Sequence, residues 1–202
     1  MSTETLILLT AERLFATQGI DATSMRQIGQ AAGQRNAAAT QYHFRNKQLL
    51  LKAIFEHRLG AIDLRRRDLL AALQQSGEAA DPWRLVEALV RPLAEQAVLP
   101  GSHYVRFLER VFEHAGRDVA LLAEIGGLDQ AVAAGRLVHA RLPLLDTPQG
   151  RLRLRWAGQL IISGLADLEQ RCADAAGSTD PEEFTTGLVD AVTGLVTAPH
   201  SH

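Results

Sequence analysis

Apolar residues return every three to four positions along most of the chain, the period of helices with one buried face. Ile7, Ala11, Leu14 and Phe15 form the first stripe, on a helix expected over 3–18 that ends at Gly19, with Ile20 placed to fold back over the terminus. Met25, Ile28 and Ala32 form a second stripe over 24–32, behind the hydroxyl acceptors of Thr23 and Ser24. Asn46 then caps a long helix over 47–73, on which Leu50, Ile54, His57, Ala61 and Leu64 keep the repeat. At about 1.5 Å per residue this rod is roughly 40 Å long. A cap followed by proline restarts helices at Asp81-Pro82, Thr147-Pro148 and Asp180-Pro181, opening segments over 82–98, 148–175 and 181–196. Asp180 and Glu183 form a capping-box-like pair. Further helices are expected over 102–115 and 117–142, the latter interrupted at Gly126-Gly127. β-Branched residues are sparse and no strand pattern is evident, so the fold class is all-α with about nine helices.

Between positions 23 and 47 the pattern acquires chemistry. Gly29 offers a side-chain-free surface for a crossing helix, and Gly33 sits just past a helix end, where left-handed backbone costs little. That pair predicts the turn of a helix-turn-helix. A short third helix over 36–42 then brings Gln34, Arg35, Asn36, Thr40, Gln41, Tyr42 and His43 to or near an exposed face, all able to donate to phosphate or base edges. Any one of them alone is an ordinary polar surface residue. Their position after a glycine-centred turn is what points the cluster to DNA.

Composition changes this picture in one respect. The 202 residues are 47% hydrophobic, enough for a helical body plus a small appended head, and the formal net charge is −2. Residues 1–60, however, carry seven Lys/Arg against four acids, a net of +3, leaving −5 on the remainder. A basic head on an acidic body suits a protein that meets nucleic acid at one end. The single cysteine, Cys172, excludes an intramolecular disulfide and is expected to be a small buried hydrophobe. Neither a membrane-length apolar run nor a leader pattern is present, so a cytoplasmic protein without membrane association is expected.

Three separated runs, ILLTAERLFATQG, ATSMRQIGQAAG and YHFRNKQLLLKAIF, occur in order between Ile7 and Phe55. Together they resemble the N-terminal DNA-binding domain of the tetracycline-repressor (TetR) family, over about a quarter of the chain. Two departures stand out: the segment from the turn to Tyr42 is one residue longer than the commonest pattern, and Gln41 replaces the first of two tyrosines. The resemblance implies a three-helix DNA-binding domain over 1–46, a helical effector-binding and dimerisation domain over 47–198, and a tail over 199–202. It implies phosphate contacts from Tyr42 and Lys47, with Arg26 and Thr23 or Ser24 near the DNA backbone. Base reading falls to Gln34, Arg35, Asn36, Thr40 and Gln41, while His43 and Phe44 pack and orient the recognition helix. It also implies an apolar effector cavity among the helices of 47–142, lined by Trp83, Phe107, Val111 and Phe112, each of which plain core packing explains equally well.

The last two helices are amphipathic and adjacent. Trp156, Leu160, Ile161, Gly164, Leu165 and Leu168 on one, and Leu188, Ala191, Val192 and Leu195 on the other, suit a four-helix contact between two copies. Gly187, Ala191 and Gly194 add a stripe of small residues that admits a close neighbour; the alternative is that both faces close the monomer core. No nucleophile lies beside an oriented base, and His103 and His114, three helical turns apart, cannot share a metal, so neither an enzyme nor a metal or other cofactor is expected. The reading is a homodimeric repressor of a near-palindromic double-stranded operator, released by a small molecule. The alternative is a DNA-binding regulator without such an effector, controlled by a protein partner or by abundance.

Overall fold

The computed structural model of the chain describes residues 2–33, 43–78, 81–114, 140, 147–174 and 179–199. Among them are seven helices and no strand: α1 (Thr3–Gln18), α2 (Met25–Ala31), α3 (Lys47–Ser76), α4 (Pro82–Ala97), α5 (Tyr104–His114), α6 (Pro148–Ala173) and α7 (Pro181–Thr197). The helix expected over 36–42, and that over 117–142 apart from Ala140, lie outside the described residues.

Helix starts follow local chemistry. Gln27 N donates to Ser24 Oγ and Ser24 N donates to Gln27 Oε1, a reciprocal capping box that seals α2. Leu49 N donates to Asn46 Oδ1 at 2.8 Å, Trp83 N to Asp81 Oδ1 at 2.9 Å and Gly150 N to Thr147 Oγ1 at 3.0 Å. At α7 the bond to Asp180 Oδ1 comes from Glu182 N at 2.8 Å, one residue short of the expected partner Glu183. Gly19 and Gly33 have φ of +89° and +69°, so the chain leaves α1 and α2 through backbone that favours glycine.

Two apolar clusters fill the interior. The first joins α1, α2 and α3 as far as Ile62 with Tyr104, Phe107, Leu108 and Val111 of α5. Phe107 is its hinge point, with ring centroids 6.2 Å from Phe15 and 5.4 Å from Phe55. The second joins Leu70 of α3 with α4, α6 and α7. On α3 the buried side runs through Leu51, Phe55, Leu59, Ile62, Arg66 and Leu70. The stripe expected through His57, Ala61 and Leu64 instead faces solvent, because α1, α4 and the Phe107 ring of α5 lie on the other side.

The apolar faces of α6 and α7 divide in the same way. Leu165, Leu168, Leu188 and Val192 are buried in the second cluster of the monomer and are unavailable to a partner, contrary to expectation. The close approach is made at Gly164, where an added Cβ would stand 2.9 Å from Leu188 Cδ1, whereas Gly187, Ala191 and Gly194 are exposed. Left at the surface are Leu152, Trp156 and Leu160, with Trp156 49% exposed. Cys172 is also exposed, beyond the last buried turn of α6, and is no part of the core.

Candidate functional site

The head presents α2 on the stage set by α1. Ile28 and Ala32 are buried against α1, which turns Arg26, Gln27 and Gln30 outward. Ser24 is exposed and holds the cap, but Thr23 is fully buried, its hydroxyl donating to Gly19 O at 2.8 Å. The expected DNA-backbone contact from the Thr23 side chain is therefore replaced by a structural role, pinning the α1–α2 turn. Gln34, Arg35, Asn36, Thr40, Gln41 and Tyr42 lie outside the described residues. His43 is exposed beside buried Phe44, the rings 6.4 Å apart, and Phe44 anchors the entry to α3. Lys47 Nζ donates to Ile20 O at 2.8 Å, tying α3 to the α1–α2 turn and leaving two of its three N–H groups for another acceptor. Arg45, exposed two residues ahead of Lys47, belongs to the same surface; sequence reasoning counted its charge but assigned it no contact.

The four residues expected to line an effector cavity do not converge. Phe107 and Val111 are fully buried in the first cluster. Trp83 is half-buried against α7, donating from Nε1 to Asp190 Oδ1 at 2.6 Å, with the Arg84 guanidinium 5.2 Å from its ring. Among the described residues, Phe112 lines a cleft of about 100 Å³ between α5 and α6, floored by Phe112, Leu154 and Ile162 and edged by Glu109, Arg155 and Gln159. Drug-sized ligand sites begin at roughly 300 Å³, more than the described residues enclose here.

Between the two apolar clusters lies a layer of charged groups that periodicity does not reveal. Arg58 donates from Nε and Nη2 to the buried Glu12 carboxylate at 2.7 and 2.8 Å, joining α3 to α1. Arg66, 2% exposed, donates from Nη1 to Asp63 Oδ1 at 2.9 Å. Glu169 of α6 reaches across to the start of α5, accepting from Ser102 Oγ at 2.8 Å, Val105 N at 3.1 Å, and Arg106 N and Nε at 3.0 and 3.2 Å. A carboxylate from a distant helix thus does the work of an N-cap, where the orphan N–H groups and the positive end of the dipole favour it. Arg106 also donates to Gln170 Oε1, and from Nη2 to His103 Nδ1 at 2.7 Å. A guanidinium only donates, so His103 is held neutral with Nδ1 as the acceptor. Burial first, then the Arg106 charge, keeps its imidazole below the ordinary histidine range. At the other end of α5, His114 Nδ1 lies 3.1 Å from Asp21 Oδ2 in the turn after α1. Helix α5 is thereby fastened to α6 at its start and to the head at its finish.

Among the described residues, no group of three or more His, Cys, Asp or Glu is placed to hold a metal, and no helix is long and apolar enough to cross a membrane.

Residues 7–54 match the sequence model of the family described as bacterial regulatory proteins, tetR family. No curated protein matches the chain in sequence. Solved structures that share the fold include an alanine-substituted mutant of HlyIIR, at 16% identity and a TM-score of 0.63, covering 98% of this chain and 100% of that one. AibR in complex with isovaleryl coenzyme A and operator DNA gives 21% identity and 0.59, with the same coverage of 98% and 100%. Native NalD, the secondary repressor of the MexAB-OprM multidrug efflux pump in Pseudomonas aeruginosa, gives 22% and 0.52, covering 97% of each chain. The match spans α1, α2 and the first turns of α3, the elements that form the capped, outward-facing head, and over these residues the chain is similar to the bacterial regulatory proteins of the tetR family.

Proposed function

We propose that the protein is a transcriptional repressor that binds a near-palindromic operator as a homodimer and is released by a small molecule. The observation that carries this reading is the family match over 7–54, coinciding with a head whose basic and amide side chains face outward from a sealed α2. AibR, described with both operator DNA and an acyl-coenzyme A, and NalD, described as a repressor, lend support through the shared fold. In this reading Ser24 and Arg26 lie along the DNA backbone, and Lys47 and Tyr42 grip phosphates. Gln34, Arg35, Asn36, Thr40 and Gln41 read bases, with His43 beside them. Residues 1–46 serve as the DNA-binding head and 47–198 as the body that binds effector and partner.

The exposed remainder of α6 and α7, with Trp156, Leu160 and Ala191, is the surface that a second copy covers, spacing the two heads for successive major grooves. Communication runs along α5 as well as α3, since α5 packs on α1 through Phe15 and Phe107. The effector must favour one arrangement of these helices over the other, because equal affinity for both would change nothing.

Selection of genomic fragments on the full-length protein, followed by binding titrations at several salt concentrations, tests the proposal. Enrichment of a two-fold symmetric sequence is expected. Lys47→Ala should weaken binding to all sequences by similar factors and lower the salt slope by about one. A protein that retains no DNA even at low salt would sink the reading.

A further inference from the structure

Head and body meet through apolar contacts and through a buried ion pair. Glu12 lies on α1 with its side chain 2% exposed, and both of its oxygens accept from Arg58 of α3, from Nε at 2.7 Å and from Nη2 at 2.8 Å. Arg58 stands beyond the 7–54 match, so the pair ties a head helix to the part of α3 that has entered the body. The Arg58 guanidinium in turn lies over the Tyr104 ring of α5, 5.9 Å from its centroid and within cation–π range. Tyr104 is fully buried and packs on Phe107, which meets Phe15 of α1 and Phe55 of α3. One guanidinium thus links the three helices that cross the junction.

The two kinds of contact constrain the junction differently. Burial of apolar surface is non-directional and rewards many helix angles alike, whereas a bidentate guanidinium–carboxylate pair is held to one plane and one distance. A buried pair is commonly no more stabilising than well-packed apolar side chains of similar volume. What it adds here is direction, and a dimer that grips two half-sites depends on direction. Each base pair inserted between the half-sites moves them apart by about 3.4 Å and turns one against the other by about 35°.

We infer that the Glu12–Arg58 pair, seated on Tyr104, fixes the angle of the head on the body and thereby selects the half-site spacing that the dimer accepts. This rests on the homodimeric DNA-binding reading above and gives it two positioning residues, neither of them a DNA contact. With the pair intact, the two heads are held at one separation, and only an operator of matching spacing fills both. Without it each head still folds around Phe15, Ile28 and Leu50 of the first cluster and still reads a half-site, but the heads sample a range of separations.

The test compares full-length wild type with a Glu12→Met, Arg58→Met double variant, in which unbranched apolar side chains replace the pair. Its melting midpoint should stay level or rise. The operator recovered by the fragment selection is prepared as a single half-site, as the full site, and with one or two base pairs inserted or removed between the half-sites. Wild type should bind the full site about a hundredfold or more tighter than the half-site, and lose most of that gain with each change of spacing. The double variant should bind the half-site as wild type does, lose about tenfold of the full-site gain and respond weakly to spacing. Arg58→Lys keeps the charge but not the planar fork and should fall between the two. Should the double variant fail to fold, Glu12→Gln, which keeps the shape and one acceptor oxygen, should show the same relaxed spacing. A folded variant as strict about spacing as the wild type overturns the inference. So does one that loses half-site and full-site affinity alike, because the pair would then support only the fold of the head. A wild type that binds DNA but tolerates every spacing removes this inference and leaves the regulator, whereas a wild type that binds no DNA removes the regulator itself.

Discussion

Glu169 ties two helices together through one buried carboxylate. At 1% exposure it accepts from Ser102, Val105 and Arg106, so α5 starts where α6 tells it to. Glu169→Ala would leave these donors unpaired in the interior, together with the Arg106 charge. Breaking a buried pair in this way typically costs about 3–5 kcal/mol, and urea unfolding should show a loss of that order. Glu169→Gln keeps an acceptor and should lose less.

His103, on the rim of the same cluster, makes stability depend on pH. Its folded-state pKa lies below the ordinary value of 6.5, through burial and the neighbouring Arg106. The unfolded chain therefore takes up this proton first as pH falls. The stabilisation is complete above about pH 6.5 and drains away below it. Unfolding midpoints of wild type and His103→Gln, compared at about pH 7.5 and about pH 5.5, should separate at the higher pH and converge at the lower. A parallel pair of pH profiles would remove His103 from the explanation.

At the scale of elements, the packing of α6 on α7 turns on Gly164. Replacing glycine by alanine inside a helix gains about 1 kcal/mol of propensity, but here the new Cβ meets Leu188 Cδ1 at 2.9 Å. Leu188 is a flexible side chain that can give way, so Gly164→Ala should be close to neutral in urea unfolding. Gly164→Leu cannot be absorbed in this way and should cost about 1–3 kcal/mol through overpacking. Helix α3 teaches a related lesson. It carries two stripes at helical spacing, one through Phe55, Leu59, Ile62 and Leu70 and one through His57, Ala61 and Leu64, and only the first has neighbours. Periodicity identifies a helix; it cannot rank two faces that both keep the period.

At the scale of the whole molecule, assembly depends on what the monomer core leaves uncovered. Leu165 is fully buried between α4, α6 and α7, so Leu165→Arg should lower the melting midpoint and not report on association. Trp156, at 49% exposure, and Leu160, at 37%, face outward on α6. Trp156→Glu combined with Leu160→Arg should leave the fold intact and give a monomer in sedimentation. A dimer surviving that double change would place the interface elsewhere.

The sequence by itself determined where most helices begin and end, because a cap or a terminating glycine acts within about four residues of itself. Ser24, Asn46, Asp81, Thr147 and Gly19 could all be read one at a time, and the glycine-centred turn, with the basic surplus around it, was enough to point the head toward DNA. Only the tertiary structure decided which apolar residues are core and which are surface, and therefore which of the α6 and α7 residues remain for a partner. It alone showed Thr23 turned inward and Lys47 tied to Ile20. It alone brought Glu12 to Arg58 and Glu169 to Arg106, and set Tyr104 beside Arg58. A charged side chain in a sequence reads as surface unless its partner is known, and these partners lie dozens of residues apart, beyond the reach of any local pattern.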